Sequence, residues 1–189
     1  MDKAKSISVI GGGSWATALV KILSNNVENI HWWVRSEETA AFVRKYKHNP
    51  NYLTDVEINQ EKVQVTTNLP SALSSADIII LAVPSAFLKD TLKNISSVDF
   101  KNKIVVSAIK GIIPDDLLIV GDFLQKQFDI PISSIGVITG PCHAEEVAME
   151  RLSYLTIACQ NLNNANLVAN HLNCRYIKTT VSDDIHGTE

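Results

Sequence analysis

Apolar residues along the chain fall into short runs rich in isoleucine and valine, and a stretch with helical spacing follows most of these runs. Such runs are typical of strands, and the stretches between them are typical of amphipathic helices. The predicted strands are Ser6–Ile10, Ile30–Val34, Val63–Thr66, Ile78–Ala82, Ile104–Ser107, Ile135–Thr139, Tyr154–Ala158 and Arg175–Thr179. The predicted helices are Ser14–Ser24, Glu37–Tyr46, Ala86–Lys93, Asp115–Gln127, His143–Met149 and Leu162–Leu172. This alternation predicts an α/β fold in which crossover helices connect parallel strands.

Several of the predicted strands are apolar at every position, and Ile78–Val83 is the clearest case. A strand is apolar on both faces when helices cover both faces of the sheet, so we expect a doubly wound, mostly parallel sheet of about eight strands. The polar stretch Lys47–Lys62 predicts a loop that folds over the sheet edge. We expect residues 1–189 to form one domain. Because Asp183–Glu189 carries no signal for a terminating element, we expect it to lead into a longer protein.

Composition and charge narrow the class of protein. The chain has 17 Lys and Arg against 20 Asp and Glu, a formal net charge of −3 and a pI near 5.9, which argues against a nucleic-acid partner. Its three cysteines, Cys142, Cys159 and Cys174, have no spacing typical of disulfides or zinc, so we expect free thiols and no metal. No apolar stretch is long enough for a membrane helix or a signal peptide. We therefore expect a cytoplasmic protein that does not bind membranes.

The first strand runs directly into a glycine-rich turn. Residues 11–16 read Gly-Gly-Gly-Ser-Trp-Ala and match the pattern G-x-G-x-x-A at Gly11, Gly13 and Ala16. In a dinucleotide-binding turn the first glycine permits the tight turn, the second lets the backbone approach a pyrophosphate, and the third position allows close helix packing. The pattern becomes specific here because a strand precedes it and a helix follows it. The sequence therefore predicts a Rossmann-type domain.

The helix that follows this turn supplies the chemistry for an anion. Its first amides have no partner within the helix, and the positive end of the helix dipole lies at the same place. We expect Ser14 and Trp15 to supply two of these amides to the pyrophosphate. The alternative is that the three glycines form only a flexible connection.

The residues after the second predicted strand bear on which dinucleotide binds. NAD sites usually place an acidic residue here to hold the ribose 2′-hydroxyl, whereas this chain has Arg35 and Ser36. A guanidinium and a hydroxyl suit a 2′-phosphate, so NADP is favoured and NAD stays open. Glu37 and Glu38 are expected to open the next helix. The alternative for Arg35 is a solvated loop residue stacked near Trp33.

A second group of candidates follows the later strands, because ligands of open α/β sheets bind beyond the carboxyl ends of the strands. The turn Ala82–Ser85 is expected either to wall a nicotinamide or to be an ordinary loop. Lys110 emerges from a buried strand and is either a ligand for a substrate phosphate or a solvated lysine. The turn Thr139–Glu146 opens a helix whose free amides could bind an anion.

Cys142 also lies where a helix dipole would lower a thiol pKa, so a nucleophilic cysteine paired with His143 is one hypothesis for this turn. Neighbouring residues on a helix do not face each other, and no orienting acid is evident, so this reading is disfavoured. His31, His48 and His143 are too scattered for a metal site.

Six motifs in order resemble those of bacterial NAD(P)-dependent glycerol-3-phosphate dehydrogenase. They are Gly11–Leu19, Trp33-x-Arg35, Asn49–Leu53, Ala82–Ser85, Lys110-Gly111 and Gly140-Pro141. The resemblance spans the whole chain and implies an enzyme that interconverts sn-glycerol 3-phosphate and dihydroxyacetone phosphate, which supplies the backbone for phospholipid synthesis. The chain departs from the family at position 16, an alanine here in place of glycine. It also departs at position 142, where a thiol replaces a hydroxyl and is a weaker hydrogen-bonding group.

The resemblance also implies which residues touch each ligand. The implied dinucleotide contacts are Gly11, Gly13, Ser14, Trp15, Arg35, Ser36, Tyr52, Lys110 and Ala144. The implied contacts with the phosphorylated substrate are Lys110, Gly140 and Cys142.

The family's general base is a lysine that would lie beyond residue 189, in a helical substrate domain. The chain is therefore expected to be the cofactor half of the enzyme and to be inactive alone, since general acid–base assistance is worth about 10² to 10⁴-fold in rate. Two other hypotheses stay open, a non-catalytic NAD(P)-sensing module and a related dehydrogenase for another hydroxy acid. A homodimer is neither predicted nor excluded.

Overall fold

One eight-stranded sheet organises the computed structural model, which describes residues 6–189. The strands are β1 (Ile7–Ile10), β2 (Ile30–Trp33), β3 (Val63–Thr66), β4 (Ile78–Leu81), β5 (Ile104–Ser107), β6 (Ile135–Thr139), β7 (Ser153–Cys159) and β8 (Ile177–Ser182). The helices are α1 (Ser14–Leu23), α2 (Glu37–Tyr46), α3 (Leu69–Ser74), α4 (Ser85–Leu92), α5 (Val120–Phe128), α6 (Ala144–Ala148), α7 (Leu162–Leu172) and α8 (Ile185–Thr188). Two 3₁₀ turns lie at Ser97–Phe100 and Ile132–Ser134. The expectation of no signal peptide rests partly on residues 1–5, which lie outside the described residues.

The strand order is β3-β2-β1-β4-β5-β6-β7-β8. Neighbouring strands are parallel except β6 and β7, which are antiparallel. The first six strands have the order 3-2-1-4-5-6 of a doubly wound dinucleotide-binding sheet, and the strand order reverses between β1 and β4. The predicted fold class, a mostly parallel sheet of about eight strands, is confirmed.

Two apolar cores lie on opposite faces of this sheet. One contains buried residues of α1, α2, α6 and α7, and the other contains buried residues of α3, α4 and α5. The central strands β1 and β4 are buried at every position, which is why their sequences show no alternation. Helices therefore cover both faces, as the continuous apolar runs predicted.

The long loop, residues 47–62, packs against the first of these cores. Val56 and Ile58 are buried in it together with Val63 of the edge strand β3. Asn49, near the start of the loop, is also buried. The expectation of a loop folded over the sheet edge is confirmed.

Some predicted boundaries were wrong. Helix α5 begins at Val120 and not at Asp115, because Ile113 and Leu118 pair as an antiparallel bridge in which Ile113 N–H donates to the Leu118 carbonyl at 2.8 Å. Helix α3 was not predicted. The expectation of no element at residues 183–189 is corrected by the short helix α8, whose first turn is capped by the Asp184 carboxylate. In the described part of the chain no helix is both long and apolar enough to cross a membrane.

Candidate functional site

The glycine turn lies between the carboxyl ends of β1 and β4. Gly11 has a φ of +141°, and a Cβ atom there would lie 2.3 Å from the carbonyl oxygen of Ala82, the residue after β4. The buried Trp32 indole donates to the Gly11 carbonyl at 2.7 Å. Only glycine fits at this position, because a side chain would both strain the backbone and collide with β4.

Gly13 begins α1 as its N-cap residue and leaves the first turn open. It offers no side-chain cap, and a Cβ built on it would meet nothing within 4 Å. Ser14 and Trp15 follow as the first helical residues, so their amides have no partner within the helix. Ala16 is fully buried, as expected for close helix packing. The turn therefore presents backbone donors next to empty space.

A cavity of about 550 Å³ opens from this turn toward β2, and we call it the β2-side cavity. Its lining residues are Gly11, Gly12, Gly13, Trp33, Val34, Arg35, Ser36, Glu38, Thr39, Phe42, Pro50, Asn51, Tyr52, Val83, Pro84, Phe87 and Thr91. The sequence-predicted residues Arg35, Ser36 and Tyr52 thus come together here. Arg35 is exposed at its rim, and the cation–π pairs in the described part of the chain involve Lys21 and Lys45, not Arg35.

The polar groups that follow Arg35 have local partners. The Ser36 hydroxyl accepts from the Thr39 amide at 3.3 Å and so caps α2. Glu37 accepts from Arg44 at 2.6 Å, and this hydrogen bond is the largest cause of the lowered pKa of its carboxyl. Helix α2 opens with Glu37 and Glu38, as predicted. Arg35 and Glu38 both line the cavity, so this segment brings one positive and one negative side chain to it.

A second cavity, of about 390 Å³, opens from the same turn toward β5 and β6, and we call it the β5-side cavity. Its lining residues are Gly13, Ser14, Trp15, Ala82, Val83, Pro84, Ala108, Ile109, Lys110, Ile138, Thr139, Gly140, Cys142, His143, Ala144 and Glu145. Lys110, Gly140, Cys142 and Ala144 therefore meet at one place. Lys110 is exposed, and no ion pair among residues 6–189 involves it.

Gly140 has a structural reason to be glycine that sequence reasoning missed. A Cβ atom there would lie 2.4 Å from the Tyr154 carbonyl oxygen, on the antiparallel neighbour β7. The same peptide lines the cavity, so the close approach of β6 and β7 sets the position of this backbone.

The Cys142 side chain is almost completely buried in the wall of the β5-side cavity. Burial raises the pKa of its thiol, and the nearby positive charge of Lys110 opposes that rise without reversing it. A thiol that stays protonated is a poor nucleophile, so the structure adds a reason against the nucleophilic reading. His143 is the N-cap residue of α6 and makes no side-chain cap.

Sequence reasoning also missed Phe42, Phe87 and Thr91 in the β2-side cavity. Phe42 and Phe87 are among the exposed large apolar residues, at 37% and 53% exposure. They lie on α2 and α4, whose buried residues are Ala40 and Val43 on α2 and Leu88 and Leu92 on α4. An aromatic residue on the polar face of an amphipathic helix is the signal that could have found them.

Between Ser6 and Glu189, no group of three His, Cys, Asp or Glu side chains comes close enough to hold a metal ion.

The two cavities share Gly13, Val83 and Pro84, so they form one cleft across the carboxyl edge of the sheet. Each has the size of a small-molecule site, and the uncapped helix start lies at their junction. An elongated ligand with a central anion fits this arrangement, since its two ends would occupy the two cavities. The fold and the cleft together define a dinucleotide-binding domain of the Rossmann class.

Comparison with known proteins agrees with this class. Residues 6–165 match the family model described as NAD-dependent glycerol-3-phosphate dehydrogenase N-terminus. Because this match covers most of the chain, the protein belongs to that family.

Two curated relatives are similar to this chain over about half of their own length. Glycerol-3-phosphate dehydrogenase [NAD(P)+] of Alcanivorax borkumensis is 33% identical over 96% of this chain and 52% of its own length. The enzyme of the same name from Ectopseudomonas mendocina is 32% identical over 100% of this chain and 54% of its own. The chain spans about half the length of the curated relatives it matches.

Solved structures share the fold. Glycerol-3-phosphate dehydrogenase from Coxiella burnetii has a TM-score of 0.86 at 19% identity, covering 97% of this chain and 55% of that chain. The Plasmodium falciparum enzyme has a TM-score of 0.85 at 24% identity, covering 97% and 54% respectively.

Proposed function

We propose that this chain is the cofactor-binding half of an oxidoreductase that interconverts sn-glycerol 3-phosphate and dihydroxyacetone phosphate with NAD(P)(H), a step that feeds glycerophospholipid synthesis in the cytoplasm. The observation that carries the proposal is the continuous cleft whose midpoint is the uncapped start of α1. In it, Gly11 holds the turn in place, and the amides of Ser14 and Trp15 bind the pyrophosphate.

The adenosine half of the dinucleotide occupies the β2-side cavity in this proposal. Tyr52 lines that cavity, and the adenine has the rings of Phe42 and Phe87 beside it. Arg35 contacts the ribose 2′-phosphate, which makes NADPH the favoured cofactor. Ser36 keeps a hydroxyl hydrogen for the same phosphate, because its oxygen, not its hydrogen, is used in capping α2.

The nicotinamide half and the substrate share the β5-side cavity. When bound, the nicotinamide donates or accepts the hydride. Ala144 lies against the dinucleotide, and Lys110 reaches both ligands. Lys110, the Gly140 backbone and the Cys142 side chain hold the phosphorylated substrate. A sensing module would need no second cation across from the turn, so Lys110 favours an enzyme.

Reduction of the substrate also needs a proton, and the residues named so far are not assigned to supply it. Dihydroxyacetone phosphate must gain a proton on its carbonyl oxygen as the hydride arrives. Lys110, Cys142, His143 and Glu145 line the β5-side cavity, and we assign none of them to this step. We propose that a lysine beyond residue 189, in a helical domain, supplies the proton. The chain by itself then binds both ligands and turns over neither.

The test is calorimetric titration of the chain with NADPH and NADH, with and without dihydroxyacetone phosphate. We expect NADPH to bind at least as tightly as NADH, and the substrate to strengthen NADPH binding. Lys110→Ala should remove the effect of the substrate, whereas Lys126→Ala, an exposed lysine on α5, should not. A chain that binds neither cofactor, or a substrate effect that survives Lys110→Ala, contradicts the proposal.

A further inference from the structure

Asn49 joins the glycine turn to the long loop through a buried side chain whose amide is fully engaged. Its Nδ2 donates to the Gly12 carbonyl oxygen at 3.0 Å and to Thr17 Oγ1 at 2.8 Å. Its Oδ1 accepts from the backbone N–H of Asn51 at 3.0 Å and of Tyr52 at 3.2 Å. One side chain therefore contacts both walls of the β2-side cavity from behind.

On the side of the turn, the contact extends over two consecutive peptides. Thr17 Oγ1 donates its single hydrogen to the Gly13 carbonyl at 3.0 Å, so its lone pair is what accepts from Asn49. The carbonyls of Gly12 and Gly13 are thus held, one directly and one through Thr17. In a trans peptide the N–H points opposite to the carbonyl, so the amides of Gly13 and Ser14 are directed away from these partners.

On the side of the loop, Asn49 holds two residues that line the same cavity as Arg35. Tyr52 has 48% of its surface exposed, so core packing does not hold it in place. Its backbone amide and that of Asn51 are tied to the Asn49 carbonyl oxygen. A four-bond Asn side chain is costly to leave unsatisfied when buried, so the loop and the turn are expected to keep this arrangement together.

We propose that Asn49 is a positioning residue that sets the affinity for the adenosine diphosphate part of the cofactor. It acts by orienting the amides of the glycine turn and by placing Tyr52 at the same time. This inference rests on the proposed function in so far as the ligand is NAD(P)(H). The positioning itself is a property of the free chain.

The experiment compares Asn49→Ala with Asn59→Ala. Asn59 is a matched control, because it lies in the same loop and its Oδ1 accepts only a local bond, from the Glu61 amide at 3.0 Å. Each variant is titrated with NADPH, with 2′,5′-ADP as the adenosine fragment, and with nicotinamide mononucleotide. We expect Asn49→Ala to weaken NADPH and 2′,5′-ADP binding by about tenfold, as expected for the loss of the hydrogen bonds that orient the turn, and to leave the mononucleotide unchanged. Asn59→Ala should change none of the three.

A second measurement needs no cofactor. Hydrogen exchange of the free chain should show faster exchange at Asn51 and Tyr52 together with the glycine turn in Asn49→Ala, and no such coupled change in Asn59→Ala. If Asn49→Ala does not fold, Thr17→Val replaces it, because that change removes only the link from Asn49 to the Gly13 carbonyl. We expect Thr17→Val to weaken 2′,5′-ADP binding in the same selective way.

The outcomes separate the two proposals. Failure of the unmodified chain to bind either NADPH or NADH overturns the proposed function, and the exchange measurement then decides on Asn49 alone. A folded Asn49→Ala chain with unchanged 2′,5′-ADP affinity, or equal losses for both cofactor fragments, overturns the positioning role. Unchanged exchange at the turn overturns it as well.

Discussion

Two glycines of the same turn are predicted to respond in opposite ways to the same added methyl group. At Gly11 a Cβ atom would lie 2.3 Å from the Ala82 carbonyl oxygen, in a backbone with a φ of +141°. At Gly13 it would meet nothing within 4 Å, in a backbone with φ −83° and ψ −176° that any residue adopts. Gly11→Ala should therefore affect folding, and Gly13→Ala should affect only ligand binding.

The magnitudes follow from these geometries. For Gly11→Ala, backbone strain of about 1–3 kcal/mol adds to overpacking of about 1–3 kcal/mol, which is a large part of the roughly 5–15 kcal/mol that stabilises a domain. For Gly13→Ala, the poorer N-cap costs up to about 1 kcal/mol, and the reduced entropy of the unfolded chain returns about 0.4–1 kcal/mol. The stability of Gly13→Ala should thus stay within about 1 kcal/mol of the unmodified chain.

The main effect of Gly13→Ala should appear in the affinity for NADPH and not in stability. The methyl group of Gly13→Ala would stand where the pyrophosphate approaches the backbone, and losing one charge-assisted hydrogen bond costs about 1.5–3 kcal/mol, or roughly tenfold or more in affinity. Urea unfolding measures the stabilities and calorimetry the NADPH affinity. The reasoning is refuted if Gly13→Ala binds NADPH as the unmodified chain does, or if it loses as much stability as Gly11→Ala.

Three further predictions concern charge. Arg35→Ala should weaken NADPH binding by about tenfold and leave NADH within about twofold, whereas Arg151→Ala should change neither; equal losses for both cofactors would contradict the 2′-phosphate assignment. Because burial raises the pKa of the Cys142 thiol, iodoacetamide should modify Cys142 more slowly than the partly exposed Cys174 at neutral pH. Bound NADPH should slow the modification of Cys142 further. Mass spectrometry of the alkylated peptides measures these rates, and faster modification of Cys142 than of Cys174 would refute the expected order. Burial also raises the pKa of the Glu189 carboxyl, so the protonated carboxyl stabilises the fold fully below the ordinary carboxyl pKa, and this stabilisation is lost as the pH rises through the raised value. In urea unfolding, the stability of Glu189→Gln should fall less with rising pH than that of the unmodified chain. An unchanged slope of stability against pH would count against this role of Glu189.

The parts of the fold that local patterns specify were predictable from sequence. Strand β4 is apolar throughout because both of its faces are buried, and that pattern is visible in any short window. The start of α5 was not predictable in this way. Asp115 and Asp116 look like a helix start, but both pair with Lys89, and the bridge between Ile113 and Leu118 delays the helix. Such contacts depend on neighbours that a local pattern does not contain.

In the candidate site, too, some residues can be located from local sequence patterns and others depend on distant partners. The glycine turn and Arg35 follow strand ends, so the general rule for α/β sheets locates them. Asn49 has partners 32 and 37 positions away, at Thr17 and Gly12, and only the folded chain brings them together. Gly140 resembled a ligand contact, yet its requirement for glycine comes from Tyr154 on β7.

Few positions in the cleft restrict the type of residue. Where backbone amides form the centre of a site, most side chains around it are free to vary as long as the apolar pattern holds the strands in register. Residue type is then restricted mainly where a Cβ atom has no room, as at Gly11 and Gly140, or where a buried amide must be satisfied, as at Asn49. We therefore expect substitutions at these three positions to lower the free energy of unfolding more than substitutions of the exposed residues Arg35 and Tyr52. The latter should change ligand affinity and leave the fold intact.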